Sequence, residues 1–328
     1  MKKIINNPNQ VVSEMLIGLA KSNPKLMYSE GLEVISRKQK SGKVGVISGG
    51  GSGHEPAHVG YVGDGMLDAA VAGNVFSSPS PDRILEGIFR ADSGQGVLII
   101  LKNYSGDLMN FKLAQELAEM KGVIVETVVV KDDVAVPEST YSTGRRGIAG
   151  TIFVHKVAGA AASKGWDLAE VKRAAQKAID NTRSMGMAMT SCILPAVGKA
   201  GFTIPDDEIA IGMGIHGEPG ISMEKIMRAK DLAKRLLAHI LEDYDYKNSE
   251  VVVLVNGLGG TPLMELYIIF NEFEKILSGT GIRIYKSLVG NYMTSLEMSG
   301  CSISLMKVDE ELKSLIDEPC NATALKMP

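Results

Sequence analysis

Short β-branched apolar runs alternate with longer amphipathic segments along the chain. Several of these runs, such as 97–101, are apolar without alternation, which is typical of strands that are buried on both faces of a sheet. The pattern predicts nine strands, at 32–36, 43–48, 96–102, 123–130, 187–193, 208–214, 250–256, 282–288 and 302–308.

The amphipathic segments between these runs predict seven helices, at 8–21, 81–91, 108–120, 147–164, 168–184, 223–242 and 262–277. Three of them begin with a proline, which suits the first helical position because proline has no amide hydrogen to donate. A polar residue precedes each proline and is expected to cap the helix: Asn7, Ser80 and Thr261.

The alternation of strands and helices favours an α/β fold with mixed, largely parallel sheets flanked by helices. The length of 328 residues is about twice that of a typical domain, so we expect two α/β domains. Helical patterns at 147–164 and 168–184 follow each other without a strand between them. We therefore place the domain boundary near residue 185, which gives domains at 1–185 and 186–328.

Composition and charge exclude several classes of protein. Hydrophobic residues make up 45% and charged residues 22%, and 35 basic residues are interspersed with 38 acidic ones, so neither disorder nor a nucleic-acid-binding surface is indicated. The first residues lack the apolar stretch of a signal peptide, and no apolar run is long enough to cross a bilayer. Three isolated cysteines without metal-binding spacing fit a reducing cytoplasm.

The first candidate site is the sequence SGGGSGHEP at 48–56, directly after a predicted strand. Its glycines allow the backbone to approach a ligand closely, with amide groups that point inward. No Lys-Ser/Thr pair follows them, so the segment is not a P-loop. A tight turn that needs positive φ angles is the simpler alternative. His54 lies at the end of this cluster, where a polar role is favoured over a place in the core.

The second candidate site is KNYSGD at 102–107, at the end of an apolar run. Ligands of open α/β sheets bind outside the carboxyl ends of the strands, so Lys102 and Asp107 are well placed for chemistry. Asp107 also comes immediately before a predicted helix. It can therefore serve as an N-cap, either alone or in addition to a chemical role.

The third candidate site is GMGIHGEPG at 212–220. Residues 212–217 match GxGxxG after a strand, but Pro219 and Gly220 interrupt the chain before any helix, which speaks against dinucleotide binding. His216 lies in this glycine-rich loop at a strand end, where an imidazole can approach a small ligand. A fourth cluster, at 256–262, fits an anion site and a capped strand-to-helix turn equally well.

Together and in this order, these clusters resemble the dihydroxyacetone kinase K family. The resemblance rests on GGGSGHEP at 49–56, KNYSGD at 102–107 and GIHGEPG at 214–220. Further matching segments lie at 76–82, 132–136, 144–147 and 257–265, so the resemblance covers essentially the whole chain.

The resemblance implies that His216 binds the carbonyl carbon of dihydroxyacetone covalently, as a hemiaminal. Asp107 is then expected to accept the proton of the reacting hydroxyl, and His54 to assist proton transfer and to hydrogen-bond the substrate. Four further residues are expected to complete the substrate pocket: Gly51, Ser52, Gly53 and Lys102.

The resemblance also implies a division of labour between subunits. The sequence has no Walker A motif, no kinase glycine loop and no aspartate set for Mg²⁺, so we expect it to bind neither nucleotide nor metal. Single-chain ATP-dependent relatives resemble this chain with an additional nucleotide domain. We therefore expect Mg-ADP or Mg-ATP on a separate L-type kinase subunit. A phosphohistidine relay protein is expected to rephosphorylate the bound ADP. This chain is expected to be a cytoplasmic homodimer that contacts neither nucleic acid nor membrane.

Two alternatives stay open. A non-catalytic paralogue would bind dihydroxyacetone through the same histidine and act as a coactivator of a transcription regulator. Such a sensor needs the covalent histidine but no base, so intact His54, Lys102 and Asp107 favour the enzyme. A nicotinamide-dependent dehydrogenase, based on residues 212–217, is the more remote alternative and requires NAD binding.

Overall fold

The computed structural model describes residues 2–40, 42–137, 144–218 and 220–328. Within these ranges the strands are β1 Leu26–Ser29, β2 Val34–Arg37, β3 Gly45–Ser52, β4 Gly63–Asp64, β5 Ala69–Val75, β6 Val97–Lys102, β7 Val125–Val130, β8 Thr182–Ala188, β9 Glu208–Ile211, β10 Ser222–Lys225, β11 Glu250–Gly257, β12 Arg283–Gly290, β13 Gly300–Val308, β14 Cys320–Ala322 and β15 Lys326–Met327. The α-helices are α1 Val11–Ser22, α2 Pro81–Ala91, α3 Ser105–Glu119, α4 Thr151–Ser163, α5 Leu168–Asp180, α6 Ala229–Asp243, α7 Leu263–Gly279 and α8 Glu310–Asp317.

Two six-stranded sheets form the framework. The first sheet has the strand order β1-β2-β5-β3-β6-β7, and β5, β3, β6 and β7 pair in parallel. The second sheet has the order β10-β9-β8-β13-β11-β12, in which β11 and β12 form the parallel pair. The mixed α/β prediction is confirmed, with parallel pairing concentrated in the first sheet.

The two sheets share buried apolar surface. The helix α4 is buried from Thr151 to Ala162 and packs against β3, β6, α5 and α8. One continuous apolar cluster includes Ile100 of the first sheet together with Leu254 and Met306 of the second. A small sheet of β15, β14 and β4 also links the end of the chain to the N-terminal half. The predicted domain boundary at residue 185 stays a prediction; this residue lies inside β8.

Several predicted elements differ from the structure. The strand predicted at 187–193 is wrong, since β8 ends at Ala188 and starts at residues that were assigned to a helix. The helix predicted to begin at residue 223 begins at Ala229, because the preceding residues form a hairpin of β10 with β9. Six short or small-residue strands were not predicted: β1, β4, β5, β10, β14 and β15.

The predicted caps are also partly wrong. Ser80 occupies the N-cap position of α2, but its side chain makes no capping hydrogen bond. Asn7 does not cap α1, which begins at Val11 after Gln10. The hydroxyl of Thr261 donates to the carbonyl of Gly300 instead of capping α7.

Candidate active site

The glycine-rich segment is the end of a strand that places His54 at the carboxyl edge of the first sheet. β3 includes Gly51, where a Cβ atom would lie 2.6 Å from the backbone nitrogen of Ser77. The chain leaves the strand at Gly53, whose φ is 100°. Glycine is therefore required here both for close backbone packing and for the turn that follows.

The imidazole of His54 is completely buried and has a defined proton arrangement. Its Nδ1 lies 2.8 Å from the carbonyl oxygen of Thr294, so Nδ1 carries a hydrogen and donates it. Burial, together with the nearby Lys102 and His216, holds the pKa of His54 well below its usual range. The ring stacks on Phe76 at a centroid distance of 5.1 Å. Neutral His54 therefore presents the lone pair of Nε2.

His216 meets His54 from the other half of the chain. The two Nε2 atoms are 2.9 Å apart. The His216 ring also lies edge-on to the rings of Tyr104 and Phe76, at centroid distances of 4.6 and 5.2 Å. The loops that carry His54, Tyr104 and His216 therefore meet at one place, and about 20% of the His216 side chain is exposed to solvent.

Glu218 fixes the orientation of His216. Its carboxylate accepts hydrogen bonds from the His216 backbone amide at 3.0 Å and from Nδ1 at 2.8 Å. A Cβ atom on Gly214 would lie 2.1 Å from this carboxylate, so the contact requires glycine at that position. Burial alone would raise the pKa of Glu218, but the hydrogen bond and the charge of His216 outweigh it and lower the pKa to about 2.

These contacts determine where protons can lie. Nδ1 of His54 and Nδ1 of His216 both donate, to Thr294 and Glu218 respectively. The contact between the two Nε2 atoms is thus a hydrogen bond only when one additional proton lies between them. The ionised carboxylate of Glu218 compensates the charge of that proton. The two Nε2 atoms are therefore close enough to share one proton.

Lys102 and Asp107 lie side by side at the end of β6 and the start of α3. Lys102 is 1% exposed, and burial lowers the pKa of its amine, which Asp107 partly offsets. Burial raises the pKa of Asp107, against the effects of Lys102 and the Ser78 hydroxyl. The N-cap prediction for Asp107 is wrong, because α3 begins two residues earlier, with Tyr104 in the cap position.

The remaining predicted pocket residues have partners within the protein. The Ser52 hydroxyl donates to the carbonyl of Gly73 at 2.7 Å. The amide of Gly53 donates to both carboxylate oxygens of Glu55, at 3.0 and 3.1 Å. A role of Gly51, Ser52 and Gly53 in substrate binding stays a prediction.

Residues 17–324 match the Dak1 domain family. The chain belongs to this family. It is 52% identical over 314 residues to the dihydroxyacetone-binding subunit DhaK of PTS-dependent dihydroxyacetone kinase 1 from Listeria innocua, and the match covers 95% of each chain. The resemblance that the motifs indicated is thereby confirmed.

Solved structures of Dak1-type proteins have the same fold. A dihydroxyacetone kinase from C. freundii superposes with a TM-score of 0.91 at 37% identity, over 100% of this chain and 60% of that one. The dihydroxyacetone kinase operon co-activator Dha-DhaQ has the same TM-score and identity, over 96% of this chain and 98% of that one.

Other motif residues of this Dak1 chain hold the site in place. The carboxylate of Asp132 accepts from the amides of Ile148 and Gly150, at 2.7 and 2.9 Å. Asp133 forms a buried ion pair with Arg146 at 2.7 Å. These contacts attach the end of β7 to the segment that enters α4.

Sequence reasoning missed Glu218, although a carboxylate two residues after His216 in one glycine-rich loop was a usable signal.

The loop at 212–217 leads into β10 and not into a helix, so it lacks the helix N-terminus that dinucleotide binding requires. Pro219 lies outside the described residues.

No helix in the described ranges is long and apolar enough to cross a membrane. Among the same residues, no group of three or more His, Cys, Asp or Glu side chains is arranged to hold a metal ion.

Proposed function

We propose that this Dak1 protein is the dihydroxyacetone-binding catalytic subunit of a phosphoenolpyruvate-dependent dihydroxyacetone kinase. The observation that carries the proposal is the arrangement of His216, whose Nδ1 donates to Glu218 while Nε2 faces His54 at 2.9 Å. A nucleophile and a proton carrier are thus in contact, in a chain that is 52% identical to a dihydroxyacetone-binding subunit.

The histidine pair is suited to hemiaminal formation. When the shared proton moves to His54, the lone pair of His216 Nε2 is free to add to the carbonyl carbon of the ketone. The electron pair of the C=O π bond moves to the oxygen, which takes the proton from His54 Nε2. His54 returns to its neutral form, and Glu218 compensates the positive charge on the His216 ring.

This chemistry selects the substrate class. A hemiaminal requires a carbonyl group, so glycerol, which has the size of dihydroxyacetone but no carbonyl, cannot form the bond. A covalent bond also retains a three-carbon molecule that offers few non-covalent contacts.

Phosphoryl transfer then requires a base and a donor. Asp107 is the base, since its carboxylate can accept the proton of the substrate hydroxyl as the bond to phosphorus forms. The donor is Mg-ATP on a separate L-type subunit, where a phosphohistidine relay protein regenerates it from ADP. The structure of the C. freundii dihydroxyacetone kinase in complex with AMP-PNP and Mg²⁺ supports this division, since this chain covers 61% of that longer chain. A homodimer of this chain completes the proposal.

A coactivator is the second candidate function, because the Dha-DhaQ co-activator has a TM-score of 0.91 against this chain. A coactivator needs the covalent histidine but not the base. The buried pair of Lys102 and Asp107 therefore favours the kinase.

The deciding experiment mixes this chain with an L-type subunit, the relay protein and phosphoenolpyruvate, and measures dihydroxyacetone phosphate. We expect turnover with the wild-type chain and none with His216→Ala. Density continuous between dihydroxyacetone and His216 Nε2 in a saturated crystal would support the hemiaminal. Tight binding of dihydroxyacetone without turnover by any L-type subunit would favour the coactivator.

A further inference from the structure

A small space above Gly50 in β3 is bordered by polar atoms of three buried side chains. A Cβ atom on Gly50 would lie 3.3 Å from Oδ2 of Asp107, 3.7 Å from Nζ of Lys102 and 3.8 Å from Nε2 of His58. Apart from the chain neighbours of Gly50, these are the nearest heavy atoms in the part of the chain that the structure describes. The three polar atoms therefore converge on one small region beside the backbone of Gly50.

The hydrogen bonds of His58 show which of its nitrogens carries the hydrogen. The hydroxyl of Ser48 donates its one hydrogen to the carbonyl of Ile100 at 2.8 Å. The same hydroxyl oxygen lies 3.1 Å from Nδ1 of His58, so it must accept there. Nδ1 therefore carries the hydrogen, and Nε2 presents a lone pair to the space above Gly50.

Both His58 and Lys102 lack a partner on the side that faces this space. His58 is 4% exposed and Lys102 is 1% exposed, and neither His58 Nε2 nor Lys102 Nζ has a hydrogen-bond partner among the described residues. Burial, and then the charge of Lys102, keep the pKa of His58 well below its usual range, so its ring is neutral. A buried polar atom without a hydrogen-bond partner destabilises the folded protein. A polar ligand atom in the space would remove this cost for both residues.

We propose that His58 is a substrate-binding residue whose Nε2 accepts a hydrogen bond from a hydroxyl group of dihydroxyacetone bound above Gly50. The proposal rests on the proposed function, because the ligand is the same. A hydroxyl oxygen in this space accepts from Lys102 and presents its hydrogen to the acceptors His58 and Asp107. A methyl group would leave His58 Nε2 and Lys102 Nζ without partners, so the subsite selects hydroxylated ketones.

His155 provides a matched control. Its ring is completely buried, and its centroid lies 5.2 Å from that of His58. It is also an imidazole without hydrogen-bond partners among the described residues, but it is not among the three atoms nearest to the space above Gly50. His58→Phe and His155→Phe therefore disturb the same packing, while only His58→Phe removes an acceptor from the subsite.

The first measurement is the calorimetric affinity of the full chain for dihydroxyacetone. We expect His58→Phe to weaken binding about tenfold, the loss of one buried hydrogen bond. His58→Gln, whose amide oxygen can accept, should recover most of this affinity, and His155→Phe should stay within about twofold of wild type. Equal losses in His58→Phe and His155→Phe, or no rescue by glutamine, would overturn the proposal.

The second measurement is the ¹⁵N spectrum of the chain labelled at its five histidines, assigned with the same variants. The Nε2 resonance of His58 should show a lone pair in the free protein and move upfield when dihydroxyacetone is added. An unchanged resonance at saturation, while that of His216 moves, would overturn the role of His58 and leave the proposed function intact. No binding of dihydroxyacetone by the wild-type chain would overturn both.

Discussion

At the scale of single residues, Glu218 contributes its negative charge as well as its hydrogen bonds to His216. Addition of His216 to a ketone leaves a positive charge on the ring, and a neutral hydrogen-bond acceptor compensates that charge poorly. The pKa of Glu218, about 2, means that its carboxylate is ionised throughout the physiological range. Glu218 therefore orients His216, and in the proposed mechanism it also stabilises the adduct.

Replacing Glu218 by glutamine should weaken dihydroxyacetone binding about tenfold, the usual difference between a charged and a neutral hydrogen-bond acceptor. The amide has the same shape and can still accept from Nδ1, so the melting temperature should change little. Calorimetry with dihydroxyacetone measures the effect. Glu224→Gln is the control, because it removes an equal charge from the ion pair that Glu224 of β10 forms with Arg235. Wild-type affinity in Glu218→Gln would show that charge is unimportant here.

Replacing Asp107 by asparagine should lower turnover by about two orders of magnitude or more, because the proton acceptor is lost. Binding of dihydroxyacetone should be affected far less, since the proposed hemiaminal bond is to His216. Both quantities are measured in the reconstituted system. Asp82→Asn is the control. Asp82 is an exposed aspartate in the first turn of α2, so this variant tests whether loss of a first-turn charge alone lowers turnover. Near-normal turnover of Asp107→Asn would exclude Asp107 as the base.

At the scale of elements, long segments with a strong pattern could be predicted from the sequence. The helix α2 has the predicted bounds, and β6 is within one residue of its prediction. β5 was missed because its sequence AAVAGNV is rich in small residues with low strand propensity. Its place in the sheet depends on tertiary contacts: a Cβ atom on Gly73 would lie 2.0 Å from the carbonyl oxygen of Ser77.

In the candidate site, too, part could be predicted from the sequence and part depends on tertiary contacts. The motifs identified His54, Lys102, Asp107 and His216, and the structure brings the loops that carry them together. Sequence could not show that His54 and His216, 162 positions apart, are in contact through their Nε2 atoms. It also gave no reason to select His58, because the space above Gly50 exists only once β3, β6 and α3 are packed.

The contact of α4 with α8 allows a prediction about pH and stability. Lys156 of α4 is 2% exposed, donates to the carbonyl of Leu315 in α8, and has a pKa lowered by burial to about 8. Its folded pKa is below its ordinary value of 10.5, so the folded state loses the proton first. Stability must therefore rise as the pH increases from about 8 to 10.5.

Lys156→Met should abolish this pH dependence. Relative to the variant, the wild type should gain up to about 3 kcal/mol in the free energy of unfolding over that range. Urea unfolding at neutral pH and near pH 10 measures the difference. Lys164→Met, at the end of the same helix and paired with Glu318 on the surface, should follow the wild type. Parallel curves for wild type and Lys156→Met would contradict the buried amine.

At the scale of the whole molecule, the site is divided between the two halves of the chain. The first half supplies Lys102 at the end of β6 and Asp107 in the first turn of α3, and the second half supplies His216 after β9. The Ser184 hydroxyl of β8 donates to Asp132 at 2.5 Å, and this buried contact joins the second sheet to the segment that follows β7 of the first. The relative position of the sheets therefore determines whether the proposed nucleophile, His216, and the proposed base, Asp107, can serve one substrate.

A phosphate donor on another subunit has to reach a hydroxyl held beside Asp107, so the surface around the start of α3 is the expected docking rim. Met109 is 73% exposed there, and the exposed Lys112 lies about 7.5 Å further along the helix axis than Asp107. A lysine at this distance attracts a partner that carries a phosphorylated nucleotide. Lys112→Glu should therefore lower kcat/KM for the L-type subunit several-fold, and most strongly at low ionic strength, where charges are least screened.

The affinity of Lys112→Glu for dihydroxyacetone should remain that of the wild type, since the substituted side chain lies outside the pocket. Lys121→Glu is the matched control, because Lys121 is also exposed but follows the far end of α3, beside Phe89. Steady-state kinetics with a titrated L-type subunit, at two salt concentrations, separates the two variants. If Lys121→Glu slows turnover as much as Lys112→Glu, the effect comes from net charge, and the docking rim does not lie at the start of α3. A salt-dependent loss that is confined to Lys112→Glu would place the docking rim along the first half of α3.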